Sequence, residues 1–255
     1  CAASTDEVLI TRNAAPAVAD AGSDQQICTD ASALGAVVPL VGTGSWSLVS
    51  GSGTIADTLL PNSAVSGLGF GDNVFAWTVR SGVCPPSVDQ ITIRRDTPPS
   101  ASNAGANQQI CADSSVLAAT SPLIGTGTWS LISGAGTIAN PASPGSSVNG
   151  LGVGNNVFQW EVRNGVCPAA TSTVTILVDA PASVANAGAN IQACSPNAVL
   201  NATVPLVGTG LWTLVAGTAT ITTPTAPNSA VSGLGFGTAR LRWTVSNGTC
   251  RSTDE

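Results

Sequence analysis

Cysteine is the residue type in this sequence with the clearest chemical role. Seven cysteines form two series with a constant step of 83 positions: Cys28, Cys111 and Cys194, and Cys1, Cys84, Cys167 and Cys250. The sequence has no histidine and no Cys-x-x-Cys spacing, so these thiols lack the usual arrangement of a metal site. Cysteines at fixed spacing instead indicate disulfide bonds formed in an oxidising compartment. We therefore expect an extracellular protein at the cell surface.

Three aspartates around the first cysteine, Asp20, Asp24 and Asp30, resemble a set of calcium ligands. The equivalent residues 83 and 166 positions later are Asn103, Asn107 and Asp113, and Asn186, Asn190 and Pro196. Two carboxylates are lost at the first step and all three at the second, which favours a turn-forming role for these side chains. We expect neither a metal site nor a cofactor.

Acid–base catalysis lacks its usual residues in this sequence. There is no histidine, and the eight basic residues are all arginines. The carboxylates do not pair and none of them recurs in every copy, so no general base can be assigned. The net charge of −6 is spread without basic runs, which argues against nucleic-acid binding. No apolar run approaches the roughly 20 residues of a spanning helix, so we predict a non-catalytic segment without a membrane span.

The whole sequence repeats with the period of the cysteines. Its six tryptophans keep the same step, as Trp46, Trp129 and Trp212, and as Trp77, Trp160 and Trp243. The block 42–55 recurs at 125–138 and, with more changes, at 208–221. The period exceeds the roughly 20 to 50 residues of solenoid repeats, and about 80 residues can enclose a small core. Each copy is therefore predicted to be a domain of its own.

The phase of the cysteines and the positions of the prolines place the domain boundaries. Residues 1–14 are predicted to be the last strand of a preceding repeat. We call 15–97 repeat 1, 98–180 repeat 2 and 181–255 repeat 3, which is expected to lack most of its last strand. The proline-containing linkers between them are short, so we expect a semi-rigid, extended array. The segment is interpreted as part of a longer chain of such repeats.

The apolar residues of each copy alternate with a period of two. In Phe75, Trp77 and Val79 every second side chain is large and apolar, as in a strand with one buried face. The same phase assigns all six tryptophans to the core. Turn residues divide the first copy into about seven strands, at 20–27, 32–38, 45–50, 53–56, 62–67, 73–80 and 87–94. Without helix-forming stretches, this pattern predicts an all-β fold of tandem immunoglobulin-like sandwich domains.

Asparagine–glycine pairs follow the Trp-containing strand in two copies. Asn164-Gly165 and Asn247-Gly248 are typical of two-residue hairpin turns, which need a positive φ at both positions. We therefore predict a hairpin between the last two strands of each domain.

Three blocks of the first copy resemble a known group of domains. They are Ala19-Asp-Ala-Gly-Ser-Asp-Gln-Gln-Ile-Cys28, the Gly-Thr-Gly-x-Trp-Ser-Leu block around Trp46, and Ser66-Gly-Leu-Gly-Phe-Gly-Asp-Asn-Val-Phe-Ala-Trp-Thr-Val79 followed by Gly-Val-Cys. They resemble the PKD-like and immunoglobulin-like repeats of giant surface proteins of Bacteroidota, including gliding adhesins and other cargo of the type IX secretion system. The resemblance covers essentially the whole chain and implies modules that serve as spacers, adhesins or fibre shafts.

Two cysteine pairings are compatible with the sequence. Pairing within each copy gives Cys28 with Cys84, Cys111 with Cys167 and Cys194 with Cys250, and leaves Cys1 for a preceding domain. In an immunoglobulin-like strand order, however, the two cysteines of one copy lie at opposite ends of the sandwich, roughly 25 Å apart, while a disulfide needs Cα atoms within about 7 Å. We therefore favour pairs across the junction between neighbouring copies, Cys28 with Cys167 and Cys111 with Cys250.

Two functional classes remain. The favoured class is structural: the repeats form the extended shaft of an extracellular adhesin or surface fibre, in contact with neighbouring repeats and, in a fibre, with identical chains. The alternative is a module that binds a glycan or protein through exposed loops; these loops consist mainly of Gly, Ser, Thr and Ala, which favours the shaft. A further alternative is a subunit that polymerises by donated strands. The target of an adhesin tip lies beyond what this segment encodes.

Overall fold

The structure is a computed structural model that describes residues 3–255. Cys1 and Ala2 lie outside the described residues, and with them the expected bond of Cys1 to a preceding domain. The described part of the chain consists of short β-strands, turns and irregular segments. No helix in this part is long and apolar enough to cross a membrane.

The chain divides into two compact units. Unit 1 comprises Cys1–Ala101, Pro122–Thr126 and Val162–Ala170. Unit 2 comprises Ser102–Ser121, Gly127–Glu161 and Thr171–Glu255. Unit 1 thus holds repeat 1 with three short segments of repeat 2, and unit 2 holds the rest of repeat 2 with repeat 3.

Repeat 1 forms seven strands in two sheets. The strands are β1 (Gln25–Ile27), β2 (Ala31–Ala33), β3 (Thr43–Ser50), β4 (Thr54–Ile55), β5 (Ala64–Ser66), β6 (Gly71–Arg80) and β7 (Ser87–Arg95). One sheet has the order β1-β7-β6-β3 and the other β2-β5-β4. β1 runs parallel to β7, and the other paired strands are antiparallel. This arrangement confirms the predicted all-β, seven-strand sandwich.

Repeats 2 and 3 have strands at equivalent positions. In repeat 2 they are β8 (Gln108–Ile110), β9 (Ser114–Val116), β10 (Thr126–Ser133), β11 (Thr137–Ile138), β12 (Ser147–Asn149), β13 (Gly154–Arg163) and β14 (Ala170–Val178). In repeat 3 they are β15 (Ala198–Val199), β16 (Thr209–Ala216), β17 (Thr220–Ile221), β18 (Ala230–Ser232), β19 (Arg240–Asn247) and β20 (Cys250–Asp254). Residues 191–193 of repeat 3 correspond to β1 and β8 but are not in a strand, so repeat 3 has no first strand.

The first strand is shorter than predicted. The sequence predicted a strand at 20–27, whereas β1 covers Gln25–Ile27. Backbone amides before β1 are bound by side chains of β7 instead of a strand ladder. Ala19 N–H donates to Ser87 Oγ at 2.9 Å, and an Asp89 carboxylate oxygen accepts the N–H two residues later at 2.7 Å. These polar groups are thus satisfied without continuing the strand.

The predicted hairpin between the last two strands is confirmed in repeats 1 and 3, where β6 pairs with β7 and β19 with β20 in antiparallel fashion, but the predicted positive φ at asparagine is wrong. Among the described residues only glycines have a positive φ, so Asn164 and Asn247 do not occupy a turn position that needs one. Gly165 and Gly248 have φ values of 53° and 56°. In repeat 3 Asn247 is the last residue of β19 and pairs with Cys250, so the turn lies one residue later than predicted.

A pair of tryptophans from two neighbouring, hydrogen-bonded strands lies in the core of each repeat. Trp46 on β3 stands opposite Trp77 on β6, with ring centroids 5.1 Å apart. Two further pairs have the same separation of 5.1 Å: Trp129 with Trp160, and Trp212 with Trp243. All six side chains are at most 3% exposed, so their role in the structure is packing.

Gly44 makes room for one ring of the first pair, because a Cβ atom there would lie 1.9 Å from Cζ2 of Trp77. We expect Gly44→Ala to lower the free energy of unfolding by about 1–3 kcal/mol, since the ring must move within a close-packed core. Gly35→Ala is the matched control, because a Cβ atom there meets nothing within 4 Å. Urea unfolding of both variants measures the difference. An unchanged midpoint for Gly44→Ala would show that the ring is free to move.

The last strand of repeat 3 is shifted by one residue relative to the repeat period. In repeat 1 Trp77 lies opposite Asp89, and the repeat phase would place Glu255 opposite Trp243. The residue opposite Trp243 is Asp254 instead. Repeat 3 therefore has one residue fewer than repeat 1 between the cysteine and the residue opposite the tryptophan.

Candidate functional site at the cysteine junctions

Two of the three aspartates considered as calcium ligands accept hydrogen bonds from backbone amides. Asp20 Oδ1 accepts the N–H two residues further on at 2.9 Å, and Asp24 Oδ1 accepts the N–H of Thr92 at 2.7 Å. In repeat 2 Asn103 and Asn107 accept the equivalent amides. A side-chain amide oxygen accepts such bonds as a carboxylate does, which explains the exchange of Asp for Asn. Within residues 3–255 no three His, Cys, Asp or Glu side chains are grouped to hold a metal ion.

Two disulfide bonds join a first-strand cysteine to a cysteine of the following repeat. In unit 1 Cys28, directly after β1, is bonded to Cys167, which precedes β14; their Cα atoms are 4.9 Å apart. In unit 2 Cys111, directly after β8, is bonded to Cys250 at the start of β20; their Cα atoms are 5.0 Å apart. The structure therefore contains the two pairs across the junction and not the pairs within one repeat.

The parallel pairing of β1 with β7 keeps the two cysteines of repeat 1 apart. Ile27 pairs with Arg95 at the end of β7, so Cys28 lies beside that end, whereas Cys84 precedes the first residue of the strand. The nine residues of β7 span roughly 30 Å at about 3.3 Å per residue, well beyond the about 7 Å that a disulfide allows. Cys84 has a free thiol, as does Cys194.

A buried aspartate closes the junction of unit 1 beside the disulfide. Asp96 directly follows β7 and is 8% exposed. Its carboxylate accepts the backbone N–H of Val166 and the side-chain N–H of Gln26, both at 2.8 Å. Arg94 Nε lies 3.6 Å from the same carboxylate. One carboxylate thus connects the first strand and the end of repeat 1 to the Cys167 turn of repeat 2.

The junction of unit 2 has the same arrangement around Asp179. Its carboxylate accepts the backbone N–H of Thr249 at 2.6 Å and the hydroxyl of the same residue at 2.8 Å. Gln109, the equivalent of Gln26, donates to both carboxylate oxygens at 3.0 and 3.1 Å. Both junctions therefore pair one disulfide with one carboxylate.

The asparagine of each Asn-Gly pair holds the linker. In unit 1 Asn164 Nδ2 donates to the carbonyl oxygen of Thr97 at 2.7 Å. In unit 2 Asn247 Nδ2 donates to the carbonyl oxygen of Ala180 at 2.8 Å. These bonds fix linker carbonyls that have no partner strand.

The glycine of each pair makes space for the aspartate. A Cβ atom at Gly165 would lie 1.8 Å from Oδ2 of Asp96, and one at Gly248 would lie 2.1 Å from Oδ2 of Asp179. Any larger residue would displace the carboxylate from the backbone N–H whose hydrogen bond it accepts. The Asn-Gly pairs lie at the turn between the last two strands, as predicted, and also belong to the junctions.

Asp96 and Asp179 were not among the residues predicted from the sequence. The sequence does contain a signal for the glutamines that bind these aspartates. Glutamine occurs at the same position of all three repeats, as Gln26, Gln109 and Gln192. The aspartate position itself gives a weaker signal, since the equivalent residue at the start of the chain is Asn13.

Both junction carboxylates have lowered pKa values. The backbone N–H of Val166 lowers the pKa of Asp96 below its ordinary value; desolvation opposes this effect, and the hydrogen bond from Gln26 adds to it. The backbone N–H of Thr249 lowers the pKa of Asp179 in the same way. A carboxylate with a lower pKa in the folded state stabilises the fold above the unfolded-state pKa of about 4. That stabilisation is lost as the pH falls through the folded-state pKa.

Replacing both carboxylates should reduce the acid sensitivity of the folded state. Asp96→Asn combined with Asp179→Asn keeps an oxygen acceptor at each junction and removes the titrating group. We expect the wild-type chain to lose more unfolding free energy than this double variant between neutral pH and pH values below about 4. Urea unfolding at a series of pH values measures both dependences, and the single variants separate the two junctions. The same acid dependence in wild type and double variant would contradict this role.

Trypsin separates the cysteines well enough to determine their pairing. The tryptic peptides that contain Cys28, Cys84, Cys111, Cys167 and Cys250 are 13–80, 81–94, 96–163, 164–240 and 243–251, respectively. We expect mass spectrometry of a non-reduced digest to find 13–80 linked to 164–240, and 96–163 linked to 243–251. The reduced digest is the control. A product that links 13–80 to 81–94 would show that the cysteines pair within a repeat.

Comparison with known proteins identifies the fold. No protein-family model and no curated protein matches the chain. A structure of three titin immunoglobulin domains is similar to it, with a TM-score of 0.52 and 11% identity over 94% of this chain and 96% of that chain. The chain consists of tandem immunoglobulin-like domains. Immunoglobulin domains of Sidekick-1 match with a TM-score of 0.44 and 12% identity, over 95% of this chain and 58% of that chain.

Proposed function

We propose that this chain is a non-catalytic segment of the shaft of an extracellular adhesin or surface fibre. The two junctions support this proposal, because each combines a disulfide with a carboxylate and a linker hydrogen bond. Disulfides are typical of extracellular proteins. The resemblance of the repeats to those of giant Bacteroidota surface proteins supports a PKD-like module that is exported by type IX secretion and works in adhesion or gliding.

The order of the disulfides along the chain determines how it would carry tension. The two bonds interlace, because Cys111 lies between Cys28 and Cys167 and is itself bonded to Cys250. Three covalent routes that use the disulfides therefore lead from Cys28 to Cys250. Two of them contain one disulfide and one repeat period of backbone, from 167 to 250 or from 28 to 111, and the third contains both disulfides and the 56 residues of backbone between 111 and 167. Tension between these two cysteines is shared by three parallel routes, of which the third is the shortest.

Interlacing limits how far the chain can lengthen when its domains unfold. Without disulfides, the whole backbone from position 28 to position 250 separates the outer two cysteines. At about 3.4 Å per residue, the largest separation of these cysteines falls from about 750 Å to about 190 Å when both bonds are present, because the shortest route contains only the backbone from 111 to 167. Resistance to lengthening is a requirement of a shaft under load, whereas a module that only binds a ligand does not need it.

Single-molecule stretching from handles at the two ends of the chain tests this arrangement. Reduction of both disulfides should lengthen the fully unfolded chain by 166 residues, which is the difference between the 222 residues of backbone from 28 to 250 and the 56 residues of the shortest oxidised route, or by about 560 Å. Cys28→Ser with Cys167→Ser is the informative control. It should lengthen the fully unfolded, oxidised chain by only about 90 Å, because the remaining disulfide leaves a route of 83 residues in place of one of 56 residues.

Two results would argue against the shaft. A length gain of about 190 Å for each disulfide lost would indicate bonds within single repeats, each enclosing about 55 residues, and no route for shared tension. Specific, high-affinity binding of a glycan or protein to the isolated chain would favour the binding-module alternative.

A further inference from the structure

Each junction contains an asparagine that is directly followed by glycine, and this pair has a chemistry of its own. The glycine nitrogen can attack the side-chain carbonyl carbon of the preceding asparagine, because glycine has no side chain that hinders the approach. The pairs are Asn164-Gly165 in unit 1 and Asn247-Gly248 in unit 2. Both glycines are exposed, so water reaches them. These pairs are therefore candidates for a spontaneous modification of the chain.

The closed junction of unit 1 directs the Asn164 amide away from its own backbone. Asn164 Nδ2 donates to the carbonyl oxygen of Thr97 in the linker at 2.7 Å. The side chain must leave this carbonyl before it can reach the nitrogen of Gly165. In unit 2 Asn247 is held by Ala180 in the same way, at 2.8 Å. Ring closure therefore requires that the hydrogen bond to the linker breaks.

The backbone of the Asn164 turn is fixed as well. The carbonyl oxygen of Asn164 accepts the N–H of Cys167 at 3.2 Å, and Cys167 is bonded to Cys28 of repeat 1. Between them, the N–H of Val166 donates to the Asp96 carboxylate at 2.8 Å. A reaction between two groups of the chain requires that the reacting atoms are close and aligned. A turn held by these bonds has little freedom to align them.

The charge of Asp96 adds to this protection. A Cβ atom at Gly165 would lie 1.8 Å from Oδ2 of Asp96, so the carboxylate lies directly against this glycine. The glycine nitrogen must lose its proton to attack, and a negative charge close by, in a site with little water, opposes that loss. The closed junction thus retains the side chain, the turn and the proton in unreactive positions.

We propose that Asn164 and Asn247 are modification sites that react when their junction opens. The nitrogen of Gly165 forms a bond to Cγ of Asn164, and the bond from Cγ to Nδ2 breaks. The side-chain nitrogen takes up the proton of the glycine amide and leaves as ammonia. One water molecule then hydrolyses the cyclic imide to aspartate, or to isoaspartate, in which the backbone runs through the side chain. Asn247 reacts with Gly248 in the same way.

The product does not fit the closed junction. A carboxylate at position 164 cannot donate to the carbonyl oxygen of Thr97 as the amide does. It also brings a second negative charge next to Asp96, and two carboxylates at one site repel each other. A junction that has opened and reacted therefore does not regain its former geometry, although the disulfide still joins the two repeats. This modification goes beyond the proposed shaft function, and its chemistry does not require that function.

The chain itself supplies two controls. Repeat 1 has Ser81-Gly82 at the equivalent position, so Asn164→Ser introduces a residue that this position already accepts and that cannot form the imide. Asn149-Gly150 is a third Asn-Gly pair. Asn149 ends β12, which pairs with a strand on each side. Modification of Asn149 therefore reports the unfolding of repeat 2 and not the opening of a junction.

Mass spectrometry of the 255-residue chain, kept at mildly alkaline pH, measures the modification. The tryptic peptides that contain Asn149, Asn164 and Asn247 are 96–163, 164–240 and 243–251, respectively. The variant Cys28→Ser, Cys167→Ser, Asp96→Asn lacks the disulfide and the carboxylate of the unit 1 junction. We expect it to modify position 164 at least about 10-fold faster than the wild type, because the turn is no longer held closed. Positions 149 and 247 should keep their rates.

Three results would overturn the proposal. The first is an unchanged rate at Asn164 in this variant. The second is a rise by the same factor at Asn149, because the modification would then follow the unfolding of repeat 2. The third is a rate at Asn164 in the folded wild type that equals its rate in urea, because the closed junction would then give no protection.

Hydrogen exchange tests the effect of the product on the junction. Asn164→Asp reproduces the carboxylate, and Asn164→Ser is the matched variant. We expect the N–H of Val166, which donates to Asp96, to exchange at least about 10-fold faster in Asn164→Asp than in Asn164→Ser at neutral pH. Equal exchange would show that the product fits the closed junction, contrary to the proposal. Neither experiment applies tension, so the shaft function and this modification can fail independently.

Discussion

The parallel pairing of the first strand with the last is the constraint on which the rest of the structure depends. It aligns Ile27 with Arg95 in repeat 1, so the two cysteines of the repeat lie at opposite ends of one strand. Each of them is beyond the reach of the other and near a neighbouring repeat. The same pairing places Asp96 beside Cys28, where its carboxylate meets the amide of Val166. The covalent and the polar parts of a junction are thus consequences of one strand pairing.

This pairing also makes the first and last strands depend on each other. β1 and β8 each have a full last strand beside them. In repeat 3, where β20 is short, residues 191–193 are not in a strand, and the core side chains around Trp212 line a groove. The first strand of a repeat is therefore formed only where the end of a last strand lies beside it.

Much of the fold could be predicted because the sequence repeats both its spacing and its apolar alternation. The period-two pattern around Trp77 led to seven strands and a sandwich, which the structure confirms. The junction aspartates could not be found in this way, because the Gln26 side chain and the Val166 amide that Asp96 binds both lie 70 residues away along the chain. Asn164 was misinterpreted for a different reason. An Asn-Gly pair is typical of a tight turn, and this local interpretation gave no indication of the hydrogen bond from the Asn164 side chain to the linker.

The interlaced disulfides have one more consequence, which concerns cleavage of the backbone. With Cys28 bonded to Cys167 and Cys111 to Cys250, every peptide bond from Cys28 to Cys250 belongs to a closed covalent ring. A protease that cuts one of these bonds opens a ring but releases nothing. If the cysteines paired within each repeat, one cut between Cys84 and Cys111 would detach everything beyond it. Here two separate cuts are needed before any part of this stretch is lost.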